Sequence, residues 1–444
     1  MMRQIRWVIS VWVILCLVVV KGKGERLEVD TIPLPLRSYS IGKEVDSILG
    51  SSSLSTFFIE LDSLRSGKDT VLTIVHLGDS HIQAGYYSGR LMRLFQGQFG
   101  NAGRGWISPL KLGRTNEPDD YFITSNIREW ISGRCIQTRK KCPIGIGGIG
   151  IQSVSSSSID MNVYIAPNNG AGYSFNQVIL FRGEKAMPML PVGALKDSIK
   201  TCLAQEPMVT GVMVDTFRIP YLIDTLKLHT SRKKLGTEEL LPASSFKNLY
   251  YGFSLTNGES GILYHSIGVN GSMFVNYTDT SYVRQLGLLK PSLLIVSLGT
   301  NETFGHRFNS EEFTMQVRAF LSLIKDYMPG TPVLLTTPPE CYKRTYVNKK
   351  RTYVNKKRTY VRNSNTQLAA KVLVQVAKEE GVACWDLFTV TGGKSSCVKW
   401  RKENLLGRDR IHFSKEGYRE QGTLLYRAFM NTYNHWIIKE EKDE

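Results

Sequence analysis

Apolar positions along this chain fall into two textures. Val71-Leu-Thr-Ile-Val-His-Leu77 is almost continuously apolar and stops at Gly78-Asp79, the pattern of a strand buried on both faces. Shorter runs of the same kind occur at Leu293–Val296, Val333–Leu335 and Val382–Trp385. Between them the spacing turns helical. Asn309 or Ser310 caps a helix with Glu311 and Glu312 in its first turn and Phe313, Val317, Phe320 and Ile324 along one face. Ser364 begins another, with Leu368, Val372 and Val376 on its apolar face and Gly381 as its stop, and Ser414 begins the last, through Leu425 and Phe429 toward Trp436. Strands alternating with helices predict a parallel sheet covered on both faces.

From about Leu112 to Ser260 that rhythm breaks. Tyr173–Phe181, Val209–Phe217 and Tyr250–Leu255 are β-branched and aromatic, separated by Gly, Pro, Asn and Ser clusters, which predicts an inserted all-β unit of sandwich type. Residues 25–68 hold one helix, Thr56–Leu64, and are expected to wrap the first domain. Ahead of them a basic start is followed by the apolar run Trp7–Val20, short for a membrane span and of the length of a signal-peptide core. Residues 1–24 are therefore expected to be a signal peptide or a retained N-terminal anchor, and the mature chain to be exported to the periplasm, the cell envelope or beyond. Cys16 follows Leu15 where a lipid-attachment signal needs a small residue, so no lipid anchor is read there.

With 444 residues there is room for two folded units, and 42% hydrophobic with 21% charged residues excludes both a disordered chain and a multi-span membrane protein. The formal charge of +17 points first to nucleic acid. Much of it is local: Lys343–Lys349 recurs as Lys350–Lys356 and, altered, as Lys357–Asn363, with three Lys/Arg in each copy. A tandem duplication in a surface loop accounts for this, with an electrostatic grip on an anionic polymer as the alternative. Export sets nucleic acid aside. The remaining cysteines form no CxxC pair and no zinc-finger spacing; Cys135 with Cys142, or Cys384 with Cys397, are candidate disulfides.

Gly145-Ile-Gly-Gly-Ile-Gly150 fits the spacing of a dinucleotide loop, but Cys142-Pro143 precedes it and Ser153-Val-Ser-Ser follows, so no helix opens there and the motif is set aside. Four other places carry chemistry. Gly78-Asp-Ser80-His follows the first buried strand, where a hydroxyl can be lifted out at the carboxyl edge of a sheet; alone, it is equally a turn. Asp409-Arg-Ile-His412 offers a carboxylate and an imidazole on one loop, as an activated serine needs, or merely a turn ahead of the last helix. Ser297-Leu-Gly-Thr-Asn301-Glu again follows a buried strand, and its amide can meet an oxyanion. Gly268-Val-Asn-Gly271 follows the apolar run Gly261–Ile267 and can offer a backbone amide to the same charge, or serve a tight turn.

Together, and in this order, the four resemble the blocks of the SGNH (GDSL-like) hydrolase superfamily. The sequences Gly78-Asp-Ser-His-Ile-Gln-Ala-Gly85 and Gly103-Arg-Gly-Trp106 are similar to its bacterial branch of peptidoglycan and carbohydrate O-acetylesterases. The resemblance implies an α/β fold: a three-layer α/β/α, flavodoxin-like hydrolase domain in two parts, 69–111 and 261–438, interrupted by a carbohydrate-binding-module-like β unit at 112–260, with the basic heptad loop at 343–363. It implies Ser80 as nucleophile, His412 as base and Asp409 as its orienting carboxylate. The oxyanion hole is then made by Ser80, Gly271 and Asn301. No metal or cofactor is expected. The expected partner is an O-acetylated polysaccharide, peptidoglycan or another glycan, with contact to the membrane only through a peripheral surface or the N-terminal anchor. Glu302 stands where Asp commonly follows the asparagine, and His81 where Leu gives GDSL hydrolases their name. The alternatives are a lipid ester or thioester hydrolase and a glycan-binding protein without activity. The α/β-hydrolase elbow GxSxG is absent, since Ile82 takes the place of its second glycine.

Overall fold

A computed structural model describes residues 47–154, 158–166, 172–230, 248–305, 308–348 and 356–443. The segment read as signal or anchor, with Cys16 and the first part of the extension, lies outside the described residues, as does most of the middle heptad copy. Among the described residues no helix is long and apolar enough to cross a membrane.

The buried runs become a parallel sheet of five strands: β1 (Val71–Gly78), β2 (Gly261–Gly268), β3 (Leu293–Ser297), β4 (Val333–Thr336) and β5 (Ala383–Trp385). Their order, β2-β1-β3-β4-β5, is the doubly wound flavodoxin-like arrangement. Helices α1 (Ser55–Arg65), α2 (Tyr86–Phe99) and α5 (Lys415–Asp443) pack together, and α3 (Ser310–Tyr327) packs with α4 (Asn365–Glu380), giving the layers that a sheet apolar on both faces demands. The N-terminal helix is fastened by rings: Phe58 meets Phe429, Tyr433 and Trp436 of α5 within 5.7 Å. One buried polar line crosses the sheet. His76 bonds Tyr264 Oη at 2.6 Å and Ser297 Oγ at 2.7 Å, and Ser297 bonds Thr336 Oγ1 at 2.7 Å. Burial pushes His76 down to about 3, so the ring is neutral.

Asn309 caps α3 by accepting from Glu311 and Glu312 N–H, and Phe313, Val317, Phe320 and Ile324 are buried as the spacing predicts. In α4 the predicted face holds at Val376, is half-buried at Val372 and fails at Leu368. Leu368 is 43% exposed, while Ala369, Leu373 and Val376 are buried. The apolar arc of this helix is wide, and spacing alone does not choose which edge meets the sheet.

The interrupting segment is built from two antiparallel sheets. One holds Trp130–Arg134, Ile149–Ser153, Leu249–Thr256, Phe175–Arg182, Met213–Ile223 and Lys200–Cys202, with Gly105–Ile107 joining at Leu249–Thr256. The other holds Tyr121–Thr124, Asp160–Ile165, Thr225–Thr230 and Met189–Pro191. A two-pronged Arg182–Asp215 ion pair, 2.6 and 3.1 Å, locks two central strands of the first sheet. The glycine-rich Gly145–Gly150 segment opens no helix and leads into strand Ile149–Ser153; its glycines let the backbone pass close to Tyr251, Trp106 and Pro143.

Two expectations are corrected. All six described cysteines are free thiols, five of them buried, so neither Cys135–Cys142 nor Cys384–Cys397 is a disulfide; Cys142 instead donates to Gly150 O at 3.3 Å. The heptad segment is a hairpin rather than a loop. Tyr342–Asn348 pairs antiparallel with Lys356–Arg362, placing Arg344 opposite Tyr360. Arg-Thr-Tyr-Val alternates with the period of a strand, so the outer copies can pair across the middle one.

The turn after β1 lies directly on Gly268. A Cβ there would sit 2.2 Å from Gln83 N and 2.6 Å from Asp79 O. Gly268→Ala is expected to lower stability by about 1–3 kcal/mol through overpacking, measured by urea denaturation. A midpoint unchanged from the parent would show that the turn yields to a methyl group.

Candidate active site

β1 ends in Gly78 and the chain turns at Asp79, whose carboxylate accepts from His81 N–H at 2.9 Å and so starts the single helical turn Ser80–Gln83. Ser80 is the first residue of that turn. From the other end of the chain, the loop ahead of α5 brings His412 to it, with Nε2 2.8 Å from Ser80 Oγ. His412 Nδ1 is 2.6 Å from Asp409 Oδ2, and Asp409 Oδ1 accepts from the N–H groups of Ile411 and His412 at 2.9 and 3.0 Å. Arg410, between them, takes the left-handed conformation, φ 62°, that bends the loop back on itself.

The charges respond to these bonds. Burial works to raise the Asp409 pKa, but the bond from His412 and the two backbone donors outweigh it and hold the carboxyl well below its usual range. The same His412–Asp409 bond, against partial burial, raises His412 above 6.5. A serine hydroxyl, an imidazole and a carboxylate in line can pass a proton from the hydroxyl to the ring while the carboxylate stabilises the imidazolium.

This line opens into a cavity of about 680 Å³ lined by Ser80, Asn116, Gly271, Asn301, Phe304 and His412 among others. Gly271 follows β2 with φ 83°, the left-handed region where glycine is at ease. Asn301 follows β3, and its amide donates to Asp79 Oδ2 at 3.1 Å and to Ser272 O at 2.9 Å. All five residues singled out in the sequence therefore meet at one sheet edge.

Several residues that sequence reasoning passed over hold them there. Asp79 is buried between the serine turn and Asn301; burial pushes it up to about 7, against the bond from His81 N–H and the charge of His412. Gln83 Oε1 accepts from Asn270 N–H at 2.7 Å, and its amide donates to Thr115 Oγ1 and Asn116 O, tying the Gly271 turn to the β unit. Glu302 accepts from Phe274 N–H at 2.9 Å and is raised to about 7, chiefly by burial. His81 bonds Tyr418 Oη at 2.8 Å; burial, aided by His412, pushes it down to about 3. The signal available for Asp79 and Gln83 was their place inside the Gly78–Gly85 block.

Five aromatic residues of the insert, Trp130, Tyr173, Phe175, Tyr250 and Tyr251, are all buried, at most 3% exposed. Trp130 and Tyr250 pack on one another inside the unit, with ring centres 5.9 Å apart. What the unit does present is a groove of about 770 Å³ shared with the hydrolase part, lined by Gln137, Lys140, Glu184, Tyr251, Asp279 and Gln285 among others. Ile136 on its wall lies 3.8 Å from where a Cβ on Gly271 would stand, so the wall of the groove touches the wall of the cavity at that glycine. Among the described residues no group of three or more His, Cys, Asp or Glu is arranged to hold a metal ion.

A parallel sheet in this order, with a serine after its first strand and an Asp-x-x-His loop before its last helix, defines an SGNH-type esterase. The model of the GDSL-like lipase/acylhydrolase family matches residues 244–420, a stretch that includes Gly271, Asn301, Asp409 and His412 and begins after Ser80. No curated protein matches the sequence. A solved peptidoglycan O-acetylesterase is similar in fold, with 18% identity, a TM-score of 0.64, and 86% of this chain and 96% of that one covered. A Bacillus subtilis protein matches with 15% identity, a TM-score of 0.32, and 70% and 90% of the two chains. An acetyl esterase does so with 13% identity, a TM-score of 0.28, and 41% and 76% covered.

Following the His412 ring by NMR is expected to show a midpoint above 6.5, falling in Asp409→Asn as the carboxylate that favours the charged ring is lost. Equal midpoints in the two proteins would mean that Asp409 does not govern the ring.

Proposed function

We propose that the chain is an exported serine esterase that removes O-acetyl groups from a polysaccharide, peptidoglycan before other glycans. The observation that carries the esterase chemistry is the Ser80–His412–Asp409 line opening into a cavity that Gly271 and Asn301 share. Ser80 Oγ attacks the acetyl carbonyl as His412 Nε2 takes its proton. The oxyanion is met by the backbone N–H groups of Ser80 and Gly271 and by the Asn301 amide, which gives up one of its bonds to Asp79 or Ser272 as the charge forms. His412 returns the proton to the departing sugar oxygen, leaving an acetyl-serine. Water, deprotonated by His412, then releases acetate and restores the hydroxyl.

The polymer reading rests on the groove whose wall touches the cavity wall at Gly271, on the insert residue Asn116 in the cavity wall, and on a fold shared with a peptidoglycan O-acetylesterase. Export rests on the apolar run Trp7–Val20.

Ser80→Ala and His412→Ala are each expected to abolish nearly all hydrolysis of an aryl acetate with the fold intact, because nucleophile and base act as a unit. Asn301→Ala is expected to lower kcat by roughly 10²–10³ with little change in KM. Turnover by Ser80→Ala at the parent rate would end the assignment. Acetate release from O-acetylated peptidoglycan, compared with aryl esters of increasing chain length, tests the substrate. Preference for long acyl chains would favour the lipid ester reading.

The acid limb of kcat/KM is expected above pH 6.5, because His412 must be neutral to act as base and its pKa is raised. Activity is thus lost as pH falls through that value. A limb below 6.5 in the pH–rate profile would contradict this assignment of the base.

A further inference from the structure

The tripled basic heptad is the sequence feature that esterase chemistry leaves without a role. In the fold its two outer copies form the hairpin 342–348/356–362, and the base of that hairpin reaches behind the active site. Tyr342 N–H donates to Arg410 O at 2.9 Å. The Arg410 guanidinium carbon lies 4.2 Å from the centre of the Tyr360 ring and 5.8 Å from that of Tyr342. Arg344, opposite Tyr360 on the partner strand, lies 5.9 Å from the same Tyr360 ring. Arg410 is the left-handed residue between Asp409 and His412, in a conformation that a non-glycine residue keeps only where its surroundings fix it.

Where the hairpin closes, Asn363 N–H donates to Cys341 O at 2.8 Å, and the buried Asn363 amide donates to Thr303 Oγ1 at 2.8 Å. Asn365 donates to Thr303 O at 2.9 Å. Thr303 belongs to the turn that begins at Asn301. Arg362 reaches the buried Glu340, whose other oxygen accepts from Cys397 N–H at 3.2 Å. One hairpin base thus touches the loop that carries the base and, through Asn363, the turn that carries the oxyanion amide.

We propose that the base of the heptad hairpin is a positioning element: Tyr360 and Tyr342 clamp Arg410 and hold the Asp409–His412 loop against Ser80. This rests on the Ser80–His412 reading. Neither tyrosine touches the reacting atoms; the ring face acts on the guanidinium, and the strand backbone acts on the Arg410 carbonyl.

The test uses the full chain and an aryl acetate. Tyr360→Ala is expected to lower kcat roughly 10-fold with KM nearly unchanged, since small displacements of a catalytic group cost rate rather than binding. Its acid limb should move to lower pH as the His412–Asp409 bond loosens, with Asp79 and His81, the other titratable groups that face His412, left as they are. Tyr360→Phe should restore the parent kcat, because the ring face makes the contact. Deleting residues 350–356 leaves Val347 and Lys357 joined through Asn348 and Lys349, a hairpin-turn length that preserves the pairing below, and should keep parent kcat. If Tyr360→Ala does not fold by circular dichroism, Arg410→Gln, which removes the cation from the other side, is expected to give the same kcat loss and pH shift. Parent kcat and pH profile in the variant that folds would overturn the proposal, as would an equal loss in Tyr360→Phe. Turnover surviving in Ser80→Ala would instead overturn the site reading beneath it.

Discussion

Three parallel strands ending in one row are the constraint on which this site depends. Gly78 is paired with Gly268 on one side and with Ser297 on the other, so β2, β1 and β3 finish level. The serine turn can then fold down onto Gly268, where any side chain would strike Asp79 O or Gln83 N. A shift of one residue between β1 and β2 would move Gly268 out from under the turn and separate Ser80 from the Gly271 turn. The buried His76–Tyr264 bond opposes such a shift, because breaking it would leave two polar atoms unpaired in the core.

Around that row the electrostatics are divided by burial. His412 and Asp409, on a partly exposed loop, are coupled so that the ring binds its proton more tightly than a free histidine. Asp79 and Glu302, buried close by, are both pushed up toward neutrality, and His81 is held neutral. Asp409 keeps its charge, on the far side of the ring from Ser80, where it favours the imidazolium over the neutral ring. Asp79 has a different task, because its two acceptor contacts join the backbone of the serine turn to the side chain of Asn301.

The β unit and the heptad hairpin reach the same edge from opposite ends of the chain. Gln83 gathers Thr115, Asn116 and Asn270 into one cluster, so the segment entering the β unit becomes part of the cavity wall. Lys415 at the start of α5 reaches Asp119, which also accepts from Tyr86, closing a polar contact across the rim.

What the sequence determined by itself was whatever depends on local periodicity and chain order. The buried runs gave the strands, Asn309 with Glu311 and Glu312 gave the start of α3, and the four short blocks gave the order of Ser80, Gly271, Asn301, Asp409 and His412. These are legible because burial on two faces, caps and turns act over a few residues. Tertiary structure decided the rest. The face of α4 and the burial of Trp130 and Tyr250 depend on what packs opposite, and Leu368, Ala369 and Val372 have the same apolar character until the sheet chooses among them. Cys135 with Cys142 and Cys384 with Cys397 have spacings that suit a disulfide, but all four are buried as free thiols, and no spacing reports a three-dimensional separation. The heptad copies look like a loop until the first finds the third, because strand pairing is a contact between distant segments, and only that pairing brings Tyr360 to Arg410.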